Sequence, residues 1–146
     1  MIDYTKTART RLTELFIAIT PGMGYVASDI SVGVPAPDTD HKGYNTRVAV
    51  TPSNGPIYVP RRMFHYNRID LADYMLQFSG NTLIAPGITN THQAIPAILA
   101  QFDLALDVDD IELYNIVGNQ CIITAKPQSL GWTGIIAFSL VEGGNA

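Results

Sequence analysis

Two short segments of the chain place apolar residues at helical spacing. In "RLTELFIAI" they are Leu12, Leu15, Phe16 and Ile19, and in "IPAILAQF" they are Ile95, Ile98, Leu99 and Phe102. Positions i, i+3, i+4 and i+7 lie on one face of a helix, so each segment reads as an amphipathic helix. The two sets match one to one at an offset of 83 residues, which reads them as equivalent core elements. Each helix leads through a short turn, "TPGMGYVASDI" or "DLALDVDDI", to an Asp-Ile step at Asp29-Ile30 or Asp110-Ile111. Acidic side chains at such steps serve turns by hydrogen-bonding the nearby backbone. The glycines of "GMG", Gly22 and Gly24, follow a helix and read as its terminus.

Beyond the turns the period changes to two. "TRVAVTP" and "CIITAKP" align Thr46 with Cys121, Val48 with Ile123, Val50 with Ala125 and Pro52 with Pro127. Both alternate about one buried face and stop at a proline, which has no N–H to give to a ladder. Turns ending in Gly55 and Gly131 follow, and then the last strands, "RMFHYNRI" and "GIIAFSLV". In the first of these the alternation places Met63, His65 and Asn67 on one face and Phe64, Tyr66 and Arg68 on the other, so neighbouring His65 and Tyr66 cannot act on one substrate atom.

The fold class that follows is α+β: two tandem modules of a helix with antiparallel strands, related by an internal duplication and sharing or abutting one core. Residues 1–71 form the first module, 72–90 a connecting segment and 91–146 the second. The connecting segment contains "TLIA", a possible additional strand, and Asn90 or Thr91 is the expected N-cap of the second helix.

Composition narrows the class. At 146 residues with 47% hydrophobic and 15% charged residues, the chain is long enough to bury a core without disulfides or metal. One cysteine, no signal-peptide pattern and no apolar run near the roughly 20 residues of a membrane span point to a soluble protein folded in a reducing cytoplasm. The net charge of −4 is uneven: +1 over residues 1–80 and −5 over residues 81–146. Mild acidity opposes a general nucleic-acid binder, which needs a basic face. Two unlike poles suit head-to-tail contact between copies.

The residues that resemble chemical sites fall short of one. "DTDHKG" offers Asp38, Asp40 and His41, but counted as a calcium loop it has Lys42 at the fifth position and Ala49 at the twelfth, where an EF-hand has ligands. A polar loop is the better reading. The run Asp107, Asp109, Asp110 and Glu112 reads as a solvated turn, and Cys121, inside a strand pattern, as a small hydrophobe. There is no G-x-S-x-G, P-loop or G-x-G-x-x-G sequence. Arg61 and Arg62 read as a rim contact or an edge-strand guard. Trp132 fits a core role and an interface role equally. No catalytic, cofactor-binding or metal-ligating residue is assigned; Arg61, Arg62, Trp132, Asp107, Asp109, Asp110 and Glu112 are candidate interface residues.

At "YNRIDL" (66–71), "NTRVAVTP" (45–52) and "AKPQSLGWTG" (125–134), the chain resembles a family of small repeated modules in virion structural proteins of large tailed bacteriophages. The likeness runs over almost the whole chain and departs at the insertion "VPRRM" (59–63). It implies a non-enzymatic subunit of the head, neck or tail, assembled in the host cytoplasm. Its partners would be other virion proteins and its own copies, with no cofactor, membrane, specific nucleic acid or small-molecule substrate. The alternatives are a monomeric adaptor or host-factor binding module, and a small hydrolase or metal enzyme.

Overall fold

The computed structural model describes residues 2–39, 43–52 and 62–141. Helix α1 (Ala8–Ile19) begins the first of two units, which spans Ala8–Arg68. A 3-10 turn at Ala27–Asp29 follows, then strands β1 (Ile30–Val32), β2 (Ala36–Pro37), β3 (Thr46–Pro52) and β4 (Arg62–Tyr66). β3 is the centre of an antiparallel sheet, with β4 on one side and β1 and β2 sharing the other. Its alternation places Thr46, Val48 and Val50 inward, as period two requires, and they are buried with Ala8, Leu12 and Phe16 of α1. Cross-strand pairing of Phe64 with Val48 and of Tyr66 with Thr46 puts the aromatic residues of β4 on that inner face.

The second unit joins Met1–Thr7 to Ile69–Ala146. Its elements are β5 (Ile69–Asp70), α2 (Leu71–Met75), β6 (Thr82–Ile84), a 3-10 turn at Thr91–Ala94, α3 (Ile95–Phe102), β7 (Gln120–Thr124), β8 (Trp132–Thr133) and β9 (Ile135–Val141). β9 is central in a three-stranded sheet, parallel to β6 and antiparallel to β7, while β5 and β8 form a separate parallel pair. The core gathers Leu71, Leu83, Ile98, Ile123, Trp132 and Phe138. Tyr4 belongs to it, with its ring 5.6 Å from Trp132 and 5.3 Å from Tyr74 and its carbonyl accepting from Ala105 N–H at 2.8 Å.

The α+β class is observed, and several boundaries differ from the sequence reading. The contact division falls after Thr7 and after Arg68, so residues 72–90 are part of the second unit. They supply α2 and β6, the latter the strand expected in "TLIA". Asn90 caps as expected, its side chain accepting from Gln93 N–H at 3.1 Å, but it opens a 3-10 turn before α3. The strand read in "RMFHYNRI" ends at Tyr66, and Ile69–Asp70 pairs elsewhere.

The one-to-one match of the two helices as core elements is not observed in their burial. In α1 the buried residues are Ala8, Leu12, Thr13 and Phe16, while Leu15 is 46% and Ile19 43% exposed. In α3 and the turn before it, Thr91, Ala94, Ile98 and Phe102 are buried and Leu99 is exposed. The pairs matched in the sequence therefore differ in burial, with exposed Leu15 against buried Ile98 and exposed Ile19 against buried Phe102. Leu15 and Ile19 lie at the margin of the apolar stripe of α1 and are left exposed there.

Candidate interaction surface

The sequences with the most distinctive letters are internal clasps. In the first unit Asn45 N–H donates to Asn67 Oδ1 at 2.9 Å and Arg68 N–H to Asn45 Oδ1 at 2.9 Å; Asn45 Nδ2 donates to the Arg68 carbonyl at 3.1 Å. Arg68 Nε reaches Thr46 Oγ1 at 3.2 Å. The "NT" of the β3 segment thus holds the "NR" of "YNRIDL". The remaining "IDL" is held in the second unit, where β5 pairs with β8 and Ile69 N–H donates to the Gly131 carbonyl at 2.9 Å. Asp70 caps α2, accepting from Ala72 N–H at 2.8 Å, and packs directly on Gly134. These residues specify strand pairing.

Both Asp-Ile steps carry the same reciprocal pair of bonds. Val26 N–H donates to Asp29 Oδ2 at 3.0 Å and Asp29 N–H returns to the Val26 carbonyl at 2.9 Å. Asp107 N–H donates to Asp110 Oδ2 at 2.9 Å and Asp110 N–H returns to the Asp107 carbonyl at 2.9 Å. Asp110 is also buried and accepts from Ser129 Oγ at 2.6 Å, tying its turn to the one before β8. It is therefore a structural carboxylate, where a solvated turn residue was expected. Asp109 is exposed, Asp107 and Glu112 are half-buried, and Asp109 N–H donates to Asp107 Oδ1 at 3.2 Å.

Burial pushes the Asp110 carboxyl above the usual carboxylate range, opposed by hydrogen bonds from Ser129 and from the Asp107 and Leu130 backbone, with a smaller upward push from the Asp107 charge. A raised folded value means that the folded state binds the proton more tightly than the unfolded chain does. The associated stability is fully present below the unfolded value of roughly 4 and is lost as pH rises through the folded one. Urea midpoints measured from pH 3.5 upward should therefore show wild type losing ground to Asp110→Asn as pH increases. A stability difference that stays flat over this range would contradict the shift.

The other sequence candidates fall in different places. Trp132 is 1% exposed in the core of the second unit, so it is a packing residue there and offers no surface. Arg62 is exposed at the start of β4 opposite Val50, whereas Arg61, Asp40 and His41 lie outside the described residues. Asp38, from the loop considered for an ion, is buried, and its Oδ2 lies within hydrogen-bond distance of His65 Nδ1, at 2.7 Å. Among the described residues no three potential ligands gather for a metal ion, and no helix is long and apolar enough to cross a membrane. Burial pushes the Cys121 thiol up to about 11, which keeps it protonated near neutrality and unsuited to nucleophilic attack.

Tyr74 was not legible as important. Its hydroxyl donates to the carbonyls of Phe102 at 2.8 Å and Asp103 at 3.1 Å, closing the C-terminus of α3 where Asp103 takes a left-handed conformation (φ 53°). Burial, followed by the nearby Asp103 charge, pushes this hydroxyl's pKa up and keeps it a donor. A non-glycine residue just after an apolar helical run was the available signal.

The feature left over is a surface. Alternation along β6, β9 and β7 buries Leu83, Ile136, Phe138, Cys121 and Ile123 on one face. The other face presents Ile84, Ile135, Ala137, Val141 and Ile122 to solvent, interspersed with Thr82, Ser139, Gln120 and Thr124. None of these residues is charged. The apolar surface continues into a groove of about 380 Å³ beside β9, lined by Leu76, Phe78, Ile135 and Ala137 among others, with Leu76 81% exposed. The strand edge at Ile84 is closed, because Gln101 Oε1 accepts from Ile84 N–H at 2.9 Å and Gln101 Nε2 donates to its carbonyl at 2.7 Å. Contact is thus available through the face more than through that edge.

No curated protein and no solved structure matches the chain. One family does match, along all of residues 1–146. The chain belongs to DUF7941, a family of unknown function.

Proposed function

We propose that the protein is a non-enzymatic structural subunit that assembles through protein–protein interfaces, in the setting its sequence resembles, the virion of a large tailed bacteriophage. The observation that carries this reading is the uncharged outer face of β6, β9 and β7. Contiguous exposed apolar surface on an ordered sheet is costly to leave wet and marks a contact site. Fully burying one isoleucine side chain is worth about 1.5–3 kcal/mol, so a few such residues supply a stable interface. The raised Cys121 pKa weighs against a thiol hydrolase.

The same reading extends to the repeat. Two Asp turns with the same bonds and two antiparallel strand pairs support an origin by internal duplication. A duplicated scaffold with unlike surfaces suits a subunit that meets more than one neighbour.

Sedimentation velocity over a concentration series tests the proposal. Wild type should associate, and Ile122→Lys with Ile135→Lys should weaken association by about 100-fold, the equivalent of two lost apolar contacts. Folding stability should change little, since both positions are exposed. Wild type that stays monomeric at every concentration would favour the adaptor reading, in which the same face serves a different protein.

A further inference from the structure

Resting on that reading, we infer that the partner of the outer sheet face is a second copy of this chain, which docks the exposed face of its α1 there. Arg11, Leu15, Ala18 and Ile19 follow the spacing i, i+4, i+7, i+8 and share one side of α1, flanking the buried Leu12 and Phe16. Leu15, Ala18 and Ile19 are exposed, Arg11 is half-buried, and exposed Glu14 lies one turn before Ala18. This is a second apolar patch, with Arg11 and Glu14 beside it, on a unit other than the one carrying the sheet face.

Charge selects the pairing. Drawn at the structural boundaries, the unit containing α1 holds seven Lys/Arg against four Asp/Glu, a formal +3. The unit containing the sheet face holds two Lys/Arg against nine Asp/Glu, a formal −7. Two sheet faces brought together would oppose two strongly acidic units. A helix face against a sheet face joins opposite signs. The acidic residues also border the receiving surface: Asp73 is exposed between the groove residues Ala72 and Leu76, and Glu112 N–H donates to the carbonyl of Thr124 at the sheet's end at 2.9 Å. The sheet face itself carries no charge to desolvate, so attraction orients the encounter and apolar burial holds the contact. A helix laid on a sheet is also a standard layer in α/β packing. Because the two patches differ, the contact is heterologous and each copy keeps one free patch for the next.

Complementation separates this arrangement from a like-with-like interface. A helix variant, Leu15→Glu with Ile19→Glu, and a sheet variant, Ile122→Lys with Ile135→Lys, should each be monomeric by mass photometry. Mixed, they should form a one-to-one dimer and nothing larger, because one intact patch remains on each. Added salt should weaken the dimer, since surface charges are screened within about 8 Å at physiological ionic strength. Circular dichroism confirms the fold of each variant. If the charged variants unfold, Leu15→Gln with Ile19→Gln and Ile122→Thr with Ile135→Thr replace them, with at least tenfold weaker self-association expected of each. A helix variant that assembles like wild type, or a mixture that stays monomeric, overturns this inference while the sheet face keeps its role. Wild type that is monomeric throughout overturns both readings.

Discussion

Replacing Gly134 with alanine is expected to lower stability by about 3–5 kcal/mol, a large share of what holds a small domain together. Gly134 has φ 85°, where an L side chain is strained, and an added Cβ would lie 2.7 Å from Asp70 Oδ2 and 2.8 Å from its Cγ. The contacted carboxylate cannot move aside freely, because it caps α2 through Ala72 N–H. Strain, repacking and a lost cap therefore act together. Urea denaturation of Gly134→Ala, Asp70→Ala and the double variant checks the cause. Removing the Asp70 carboxylate should relieve part of the alanine penalty, giving a coupling of opposite sign to the single losses. Strict additivity would mean that the close approach of these residues does not determine the cost.

Trp132→Ala should be of similar severity, about 3–5 kcal/mol, the usual cost of emptying a large buried aromatic site. The ring is 5.5 Å from Tyr74 at an interplanar angle of 81° and 5.6 Å from Tyr4, so its loss opens the centre of the second unit's core. Trp132→Phe should cost less, since Nε1–H has no hydrogen-bond acceptor among the described residues and phenylalanine leaves no donor unpaired. Thermal melts of both variants decide the matter. Near-wild-type stability for the alanine variant, coupled with lost association, would return Trp132 to an interface.

Much of the local structure was legible in the letters. The helices at Leu12–Phe16 and Ile98–Phe102 follow from their period, and the inward positions Thr46, Val48, Cys121 and Ile123 follow from strand alternation. The turns at Asp29 and Asp110 follow from a short acidic side chain beside a helix end. The candidate surface was legible only in part: "GIIAFSLV" shows one face to be apolar in every position that turns inward, and does not show that the outward Ile135 and Val141 lack a cover.

By itself the sequence determined the α+β class, the helices α1 and α3 with the strands β3 and β7 and the uneven charge, because each depends on residues near one another in the chain. Only the tertiary structure decided how much of the apolar stripe of α1 is buried, since Leu12 with Phe16 and Leu15 with Ile19 are equally apolar and the outcome rests on what packs against them. It likewise decided that "IDL" pairs with "GWTG", that Tyr4 joins the second unit and that Asp110 and Trp132 are interior. These are long-range pairings, and their free energy comes from surfaces that meet only when the chain has folded, so no local spacing encodes them.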